Sequence, residues 1–229
     1  LGVWYVDYGD GSDLEVFYST GTSIQNAVEG HQYETRGNYD ITIFGDVFEL
    51  WGSHGDAVVN GTYNHDIMPE NMNYAPFLGT GLASHASSIY INSEYLVRIG
   101  NFCFFNYGQS NYDGNENSLS VYLNMAISAN IGDYAFAKKS YDNGPIGTIQ
   151  ANTVSTVGDY AFYKSGLDSS TPFGSLETAG KYSFAYNPGL LDIVGFVSLT
   201  EVAEHMFTGC TGLTTTTGLT AATGIDEYS

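Results

Sequence analysis

The side chains that could do chemistry are few and scattered. The chain carries five histidines, His31, His54, His65, His85 and His205, and two cysteines, Cys103 and Cys210. His54, Asp56, His65 and Asp66 would make a metal site only if the segment holding them folded back on itself. They lack the helical i, i+4 spacing and the Cys partner that usually fix such a site. Two cysteines give neither a disulfide framework nor a metal spacing. No G-x-S-x-G, H-E-x-x-H or phosphate-loop pattern occurs, and Gly79-Thr80-Gly81 is too short to cradle a phosphate. Carboxylates are abundant, but none is set as a paired acid and base. Glycoside hydrolysis needs only two carboxylates at a set distance and stays open on that ground alone. Asp7 and Asp10 fit either a calcium loop or turn capping by side-chain hydrogen bonds. Catalytic, cofactor-binding and metal residues are all expected to be none.

Charge narrows the partners. Six basic residues stand against 25 acidic ones, a formal net charge of −19. Arg36, Arg98, Lys138, Lys139, Lys164 and Lys181 are too dispersed to hold phosphates, so nucleic acid is excluded as a partner. No run of about eighteen apolar residues occurs, so insertion of a helix into a membrane is not expected. Nineteen Tyr among many Gly, Asn, Ser and Thr is a composition of secreted or virion-surface proteins. The single sequon, Asn60-Gly61-Thr62, is expected by chance in such a composition.

The elements that position these residues repeat. Ile99-Gly100-Asn101-Phe102-Cys103-Phe104 returns as Ile131-Gly132-Asp133-Tyr134-Ala135-Phe136, then as Val157-Gly158-Asp159-Tyr160-Ala161-Phe162 and Ala179-Gly180-Lys181-Tyr182-Ser183-Phe184. Weaker copies are Val202-Ala203-Glu204-His205-Met206-Phe207 and the incomplete Ile225-Asp226-Glu227-Tyr228-Ser229. The closing aromatics are 32, 26, 22 and 23 residues apart. Such a period marks a solenoid, in which each unit buries its apolar face against its neighbours. Phe104, Phe136, Phe162, Phe184 and Phe207 are read as a stacked core ladder. The small residue before each lets neighbouring units approach, and the Gly suits either positive φ or close backbone contact. Two further columns precede each motif. Leu96, Ser128, Val154, Leu176, Leu199 and Ala222 lie three residues before it; Ser93, Met125, Ala151, Phe173, Phe196 and Leu219 lie six before. Ala179 and Ala203 depart from the Ile and Gly of the pattern and predict irregular fourth and fifth units. Asn106–Ser118 and Ser140–Pro145 read as projecting insertions. The incomplete last copy predicts either more chain beyond 229 or another subunit over that end.

These motifs resemble the BspA-like leucine-rich repeats of bacterial surface proteins, over residues 86–229. Phe207-Thr208-Gly209-Cys210-Thr211-Gly212-Leu213 carries the likeness best, followed by Phe184 through Asn187 to Leu190. Earlier, Val6-Asp7-Tyr8-Gly9-Asp10-Gly11 and His31-Gln32-Tyr33-Glu34-Thr35-Arg36-Gly37-Asn38-Tyr39-Asp40-Ile41-Thr42-Ile43 resemble the polycystic-kidney-disease (PKD) domain, an immunoglobulin-like sandwich. Tyr39, Ile41 and Ile43 alternate with Asn38, Asp40 and Thr42, a half-buried strand of period two. The expected organisation is therefore mainly β. A small sandwich, short for its family, spans 1–52, a connector with an atypical first coil spans 53–85, and a solenoid of about five coils plus a truncated one spans 86–229.

The resemblances imply a non-catalytic extracellular or cell-surface binding and adhesion module whose partner is a protein or a glycan. Two alternatives stand beside it: a structural subunit of a phage particle or extracellular filament, contacting neighbouring subunits, and an accessory module of a carbohydrate-active enzyme. Cys103 and Cys210 fall on different coils and are expected to be free, buried thiols.

Overall fold

The computed structural model describes residues 2–19, 34–35, 39–45, 49–50, 86–92, 96–105, 120–124, 128–138, 149–150, 153–168, 173–226 and 228. Both expected insertions, His31, the 54–66 histidine cluster, His85 and the sequon lie outside them.

Strand β1 (Gly2–Asp7) pairs antiparallel with β2 (Glu15–Ser19) and with β3 (Tyr39–Gly45). From β3 the sheet continues in parallel through β5 (Ala86–Asn92) and β7 (Ser120–Asn124) to β9 (Ile149–Gln150). A second sheet is parallel throughout and follows chain order. It comprises β4 (Glu49–Leu50), β6 (Arg98–Ile99), β8 (Ala129–Ile131), β10 (Val154–Val157) and β11 (Thr178–Ala179). The last pair, β12 (Glu201–Val202) and β13 (Gly224–Ile225), is again parallel. No helix occurs among the described residues. Chain segments from β3 onward thus supply one strand to each sheet in turn: β3 and β4, β5 and β6, β7 and β8, β9 and β10.

The immunoglobulin-like sandwich expected for 1–52 is not shown. β1, β2 and β3 lie edge to edge in one sheet, and β4 belongs to the other, beside β6. The alternation read in β3 has the expected sense. Ile41 and Ile43 are buried, Asp40 is exposed, and Tyr39 and Thr42 are half-buried. Val6, Tyr8, Ile41 and Ile43 join the same apolar cluster as the repeat residues Leu96, Ile99 and Phe104.

Val154, Leu176 and Leu199 line the core with Leu96, but Ser128 does not. Ser128 is exposed at φ 62°, and Ala129 stands opposite Val154 instead. The pairing of β8 with β10 slips by one residue there, because Ser155 is an extra residue that bulges between Val154 and Thr156. Counting back a fixed three residues therefore misses the inward position in the shorter unit.

Candidate interaction surface

Each six-residue motif is a turn that binds the next repeat. Its first residue is buried at Ile99, Ile131, Val157 and Val202. The glycine N–H reaches back one repeat: Gly132 to Ile99 O at 2.8 Å, Gly158 to Ile131 O at 2.8 Å and Gly180 to Val157 O at 2.9 Å. These glycines are not at positive φ. They are required by contact: a Cβ on Gly158 would sit 2.3 Å from Asp133 Oδ1 and 2.7 Å from its N.

The third residue explains that crowding. Asn101 Oδ1 accepts the N–H of Asp133 at 2.9 Å, Asp133 Oδ1 that of Asp159 at 2.9 Å, and Asp159 Oδ1 that of Lys181 at 2.8 Å. A ladder of side chains thus satisfies amides of the following repeat, which β pairing leaves unused. Beyond it, Lys181 Nζ meets Glu204 Oε2 at 2.8 Å, and this bond and charge hold the Glu204 carboxyl below its usual range.

The fourth residue takes the left-handed conformation in every motif: Phe102, Tyr134, Tyr160, Tyr182, His205 and Tyr228 lie at φ 53–59°. That conformation costs a non-glycine residue about 1 kcal/mol or more. It turns these side chains away from the closing phenylalanines, and their stacking offsets the cost. The six rings form one file with centroid steps of 4.9, 4.8, 4.8, 4.5 and 5.1 Å, every pair within 17° of parallel. Phe102 and Tyr134 are buried, Tyr160, Tyr182 and His205 are half-buried, and Tyr228 is 73% exposed. The file therefore emerges toward its C-terminal end.

Tyr163 and Tyr186 flank the file and meet edge to face at 5.3 Å. Lys164 Nζ lies 5.1 Å and 5.7 Å from their centroids, in cation–π range. Burial, then the Glu204 charge, raises the Tyr182 phenol above its ordinary pKa. His205 Nδ1 is 3.2 Å from Thr208 Oγ1, which donates to Tyr228 O at 3.1 Å and ties the last ring to the file. Stacked rings cover one another's faces, so the surface offers phenol edges and hydroxyls with a cation beside them. Such a surface suits protein recognition, where Tyr dominates.

The sixth residue forms the inner ladder. Phe104, Phe136, Phe162 and Phe184 are fully buried, and Phe207 is half-buried. Their centroids step by 5.0, 5.2, 5.6 and 5.9 Å. Phe173 and Phe196 pack edge-on against this ladder, Phe173 at 5.1 Å from Phe184 and Phe196 at 5.8 Å from Phe207. Three residues after Phe162, Phe184 and Phe207 comes a second polar column. Asn187, fully buried, accepts the N–H groups of Gly166 and Leu167 and donates to Phe162 O and Phe184 O. In the next repeat Cys210 takes that place and donates its Sγ–H to Phe184 O at 3.2 Å. Cys103 and Cys210 are both free and buried, and burial raises both thiols above their ordinary range.

At the N-terminal turn, Asp7 Oδ1 accepts Gly9 N–H at 2.8 Å and Asp10 Oδ1 accepts Ser12 N–H at 3.0 Å. These are turn caps. Among the described residues no cluster of three or more His, Cys, Asp or Glu is placed to hold a metal, and no helix is long and apolar enough to cross a membrane.

A family model described as the BspA type leucine rich repeat region, in six copies, matches residues 112–229, just over half of the chain. No curated protein matches it. Among solved structures, a leucine-rich repeat protein from Bacteroides ovatus ATCC 8483 aligns at 16% identity with a TM-score of 0.41. That alignment covers 84% of this chain and 46% of the other, so the chain spans less than half of that protein's length.

Proposed function

Because the chain belongs to the BspA-type leucine-rich repeat family, we propose that it is a non-catalytic binding and adhesion module displayed outside the cell, meeting a protein or glycan along a repeat solenoid. Parallel strands pairing in chain order support the solenoid. We further propose that the array opens at β3 and β4, before residue 86, with β1 and β2 as a hairpin along its edge. In-register pairing of β3 with β5 and of β4 with β6 supports this boundary.

The observation that carries the binding role is the half-exposed aromatic file with Tyr163, Lys164 and Tyr186 beside it. Asp133 and Asp159 are occupied with backbone amides and Glu204 with Lys181, so the rings and Lys164 carry the distinctive surface chemistry. The test is binding of the purified chain to immobilised extracellular proteins and glycans, beside Lys164→Glu and Tyr186→Ser variants. The expected outcome is capture of a protein or glycan, weakened about tenfold or more in the variants. Binding to nothing on such a panel, or turnover of a glycan, overturns the reading.

A further inference from the structure

The segment from Leu190 to Leu199 has a period of three that the aromatic surface does not use. Leu190, Ile193, Phe196 and Leu199 are buried, while Leu191, Val194 and Val197 are 54%, 55% and 46% exposed. One repeat later, at a spacing of 23 residues, the outward positions are Thr214, Thr217 and Thr220, all exposed. The two rows are adjacent. Thr214 N donates to Leu191 O at 3.0 Å, and a Cβ on Gly218 would lie 2.6 Å from Val194 Cα.

The threonine row is less polar than its sequence suggests. Thr214 Oγ1 donates to Leu191 O at 3.2 Å and Thr220 Oγ1 to Val197 O at 3.3 Å. Thr223 Oγ1 donates likewise to Thr200 O at 3.4 Å. With the Thr214 and Thr220 hydroxyls turned onto the preceding repeat, their methyl groups are left for the surface. Two neighbouring repeats thereby build a continuous apolar strip. Exposed apolar residues in a contiguous patch, unlike single ones, signal a contact surface.

The charge around the strip selects the occupant. From residue 182 to 229 there is no Lys or Arg, while Asp192 and Glu201 are acidic and lie in or next to the strip's own segment; Glu204 is taken up by Lys181. Glu177 lies one repeat before the strip and is exposed, as is Glu201 beside Thr200. A second copy of this chain, itself at −19, would set acid against acid. We infer that the Leu191–Val194–Val197 strip with its threonine row docks a cationic amphipathic polypeptide, whose apolar side chains cover the strip and whose Lys or Arg side chains meet the acidic rim. This rests on the binding-module reading and adds the chemistry of the partner.

The test uses three synthetic peptides, with alternating Leu and Lys, alternating Leu and Glu, and alternating Ser and Lys. The readouts are affinity and the methyl chemical shifts of Leu191, Val194 and Val197. The Leu–Lys peptide is expected to bind and to move those methyls. The Val194→Ser/Val197→Ser variant, changed only at exposed positions, is expected to bind it about tenfold more weakly. Equal binding of the Ser–Lys or Leu–Glu peptide overturns the inference, as does a Leu–Lys affinity unmoved in the variant. A wild-type dimer that the variant dissociates overturns it in favour of self-association. Capture on the immobilised panel in a chain that fails these peptide tests leaves the adhesion reading standing, and the reverse result removes that reading alone.

Discussion

The turns at Gly158 and at Ala203 are the same six-residue device with four residues changed, among them Ala203 for the glycine and Met206 for the small Ala161, and the hydrogen bonds register the change. Around Gly158 and Gly180, Tyr134 N–H meets Asp159 O at 2.9 Å, and Phe136 and Phe162 donate across the repeat at 2.8 Å. Around Ala203, Tyr182 N–H reaches Glu204 O at 3.2 Å and Phe184 N–H reaches Met206 O at 3.2 Å. The phenylalanine step is 5.2 Å across Gly158, 5.6 Å across Gly180 and 5.9 Å across Ala203. The second sheet ends at β11, and β12 starts a new pair with β13. Gly132, Gly158 and Gly180 sit where a Cβ would meet backbone at under 3 Å. Alanine at 203 brings that Cβ, and Met206 replaces the small residue that lets repeats close. The widening is local, since Tyr186 N–H meets Thr208 O at 2.7 Å. The sheet thus ends at this turn while the array continues.

The largest effects should fall on the inner ladder. Phe162→Ala removes a fully buried ring from the tight region and should cost about 3–5 kcal/mol. Phe207→Ala, in the loose region and half-exposed, should cost roughly half as much. Denaturant unfolding of both variants checks this, and equal losses would mean that the wider spacing carries no energetic consequence.

Lys138 comes next. It is buried in the tight region, at the place where the loose region has Gly209, and burial lowers its pKa to about 7. The unfolded chain keeps this group charged up to about pH 10.4. Below pH 7 both states bind the proton and the burial penalty is fully present. Between pH 7 and about 10.4 only the unfolded state binds it, so the penalty shrinks as pH rises and is gone above both values. The sign follows from the proton count: the unfolded state holds more protons across this window, so stability rises with pH. Lys138→Met should therefore stabilise by about 2–4 kcal/mol at pH 6.5, and the gain should fade by pH 10. Unfolding at the two pH values decides it; a gain independent of pH would trace to packing instead.

Gly158→Ala tests the comparison directly. Its Cβ would fall 2.7 Å from the Asp133 backbone N, and overpacking of this kind costs about 1–3 kcal/mol. The variant should also lengthen the Tyr134–Asp159 bond toward the 3.2 Å found beside Ala203, which faster amide exchange at Tyr134 would report.

How far the sequence foretells these features depends on which interaction set each residue. Burial of the closing phenylalanines is legible because an apolar residue that recurs at one motif position, beside a small one, has to pack against its own copies. The outer file is equally visible as Phe102, Tyr134, Tyr160, Tyr182, His205 and Tyr228, yet its direction is not. An aromatic two residues before another suggests a strand with both on one face, and nothing in residue type announces the left-handed φ that sends it outward. The ladder through Asn101, Asp133 and Asp159 is hidden because a carboxylate in a turn reads first as solvated. Its signal is the place beside an obligatory glycine. Ser128 misleads because a one-residue bulge in the facing strand is invisible when repeats are aligned by counting. In the 1–52 segment, the alternation over Tyr39–Ile43 specifies a strand correctly but carries no information about its neighbour, and pairing with β5 decides the sheet it joins.

A smaller effect separates two neighbours in one column. The slot before the closing aromatic holds Ala135, Ala161 and Ser183, and the Ser183 hydroxyl is buried with no hydrogen-bond partner. Desolvating such a group costs about 1–3 kcal/mol, so Ser183→Ala, which matches its neighbours, should stabilise by about 1 kcal/mol. A loss on thermal unfolding would mean that the hydroxyl finds a partner in solution.

The smallest stability change should come from Ala203→Gly, and it is the most discriminating. Removing the methyl lets the turn at 203 approach Gly180 as Gly180 approaches Gly158. The gain is the recovery of two hydrogen bonds from 3.2 Å toward 2.8–2.9 Å. Against it stands the backbone entropy of a new glycine, about 0.4–1 kcal/mol. The two nearly cancel, so unfolding should move by less than about 0.5 kcal/mol. Amide exchange does not share that cancellation, because it reports local opening. The Tyr182 and Phe184 amides should exchange more slowly in Ala203→Gly, while the Tyr186 amide, already at 2.7 Å, should be unchanged. If Tyr182 and Phe184 exchange as before, Met206 rather than Ala203 holds the repeats apart, and Met206→Ala should then produce the slowing that Ala203→Gly did not.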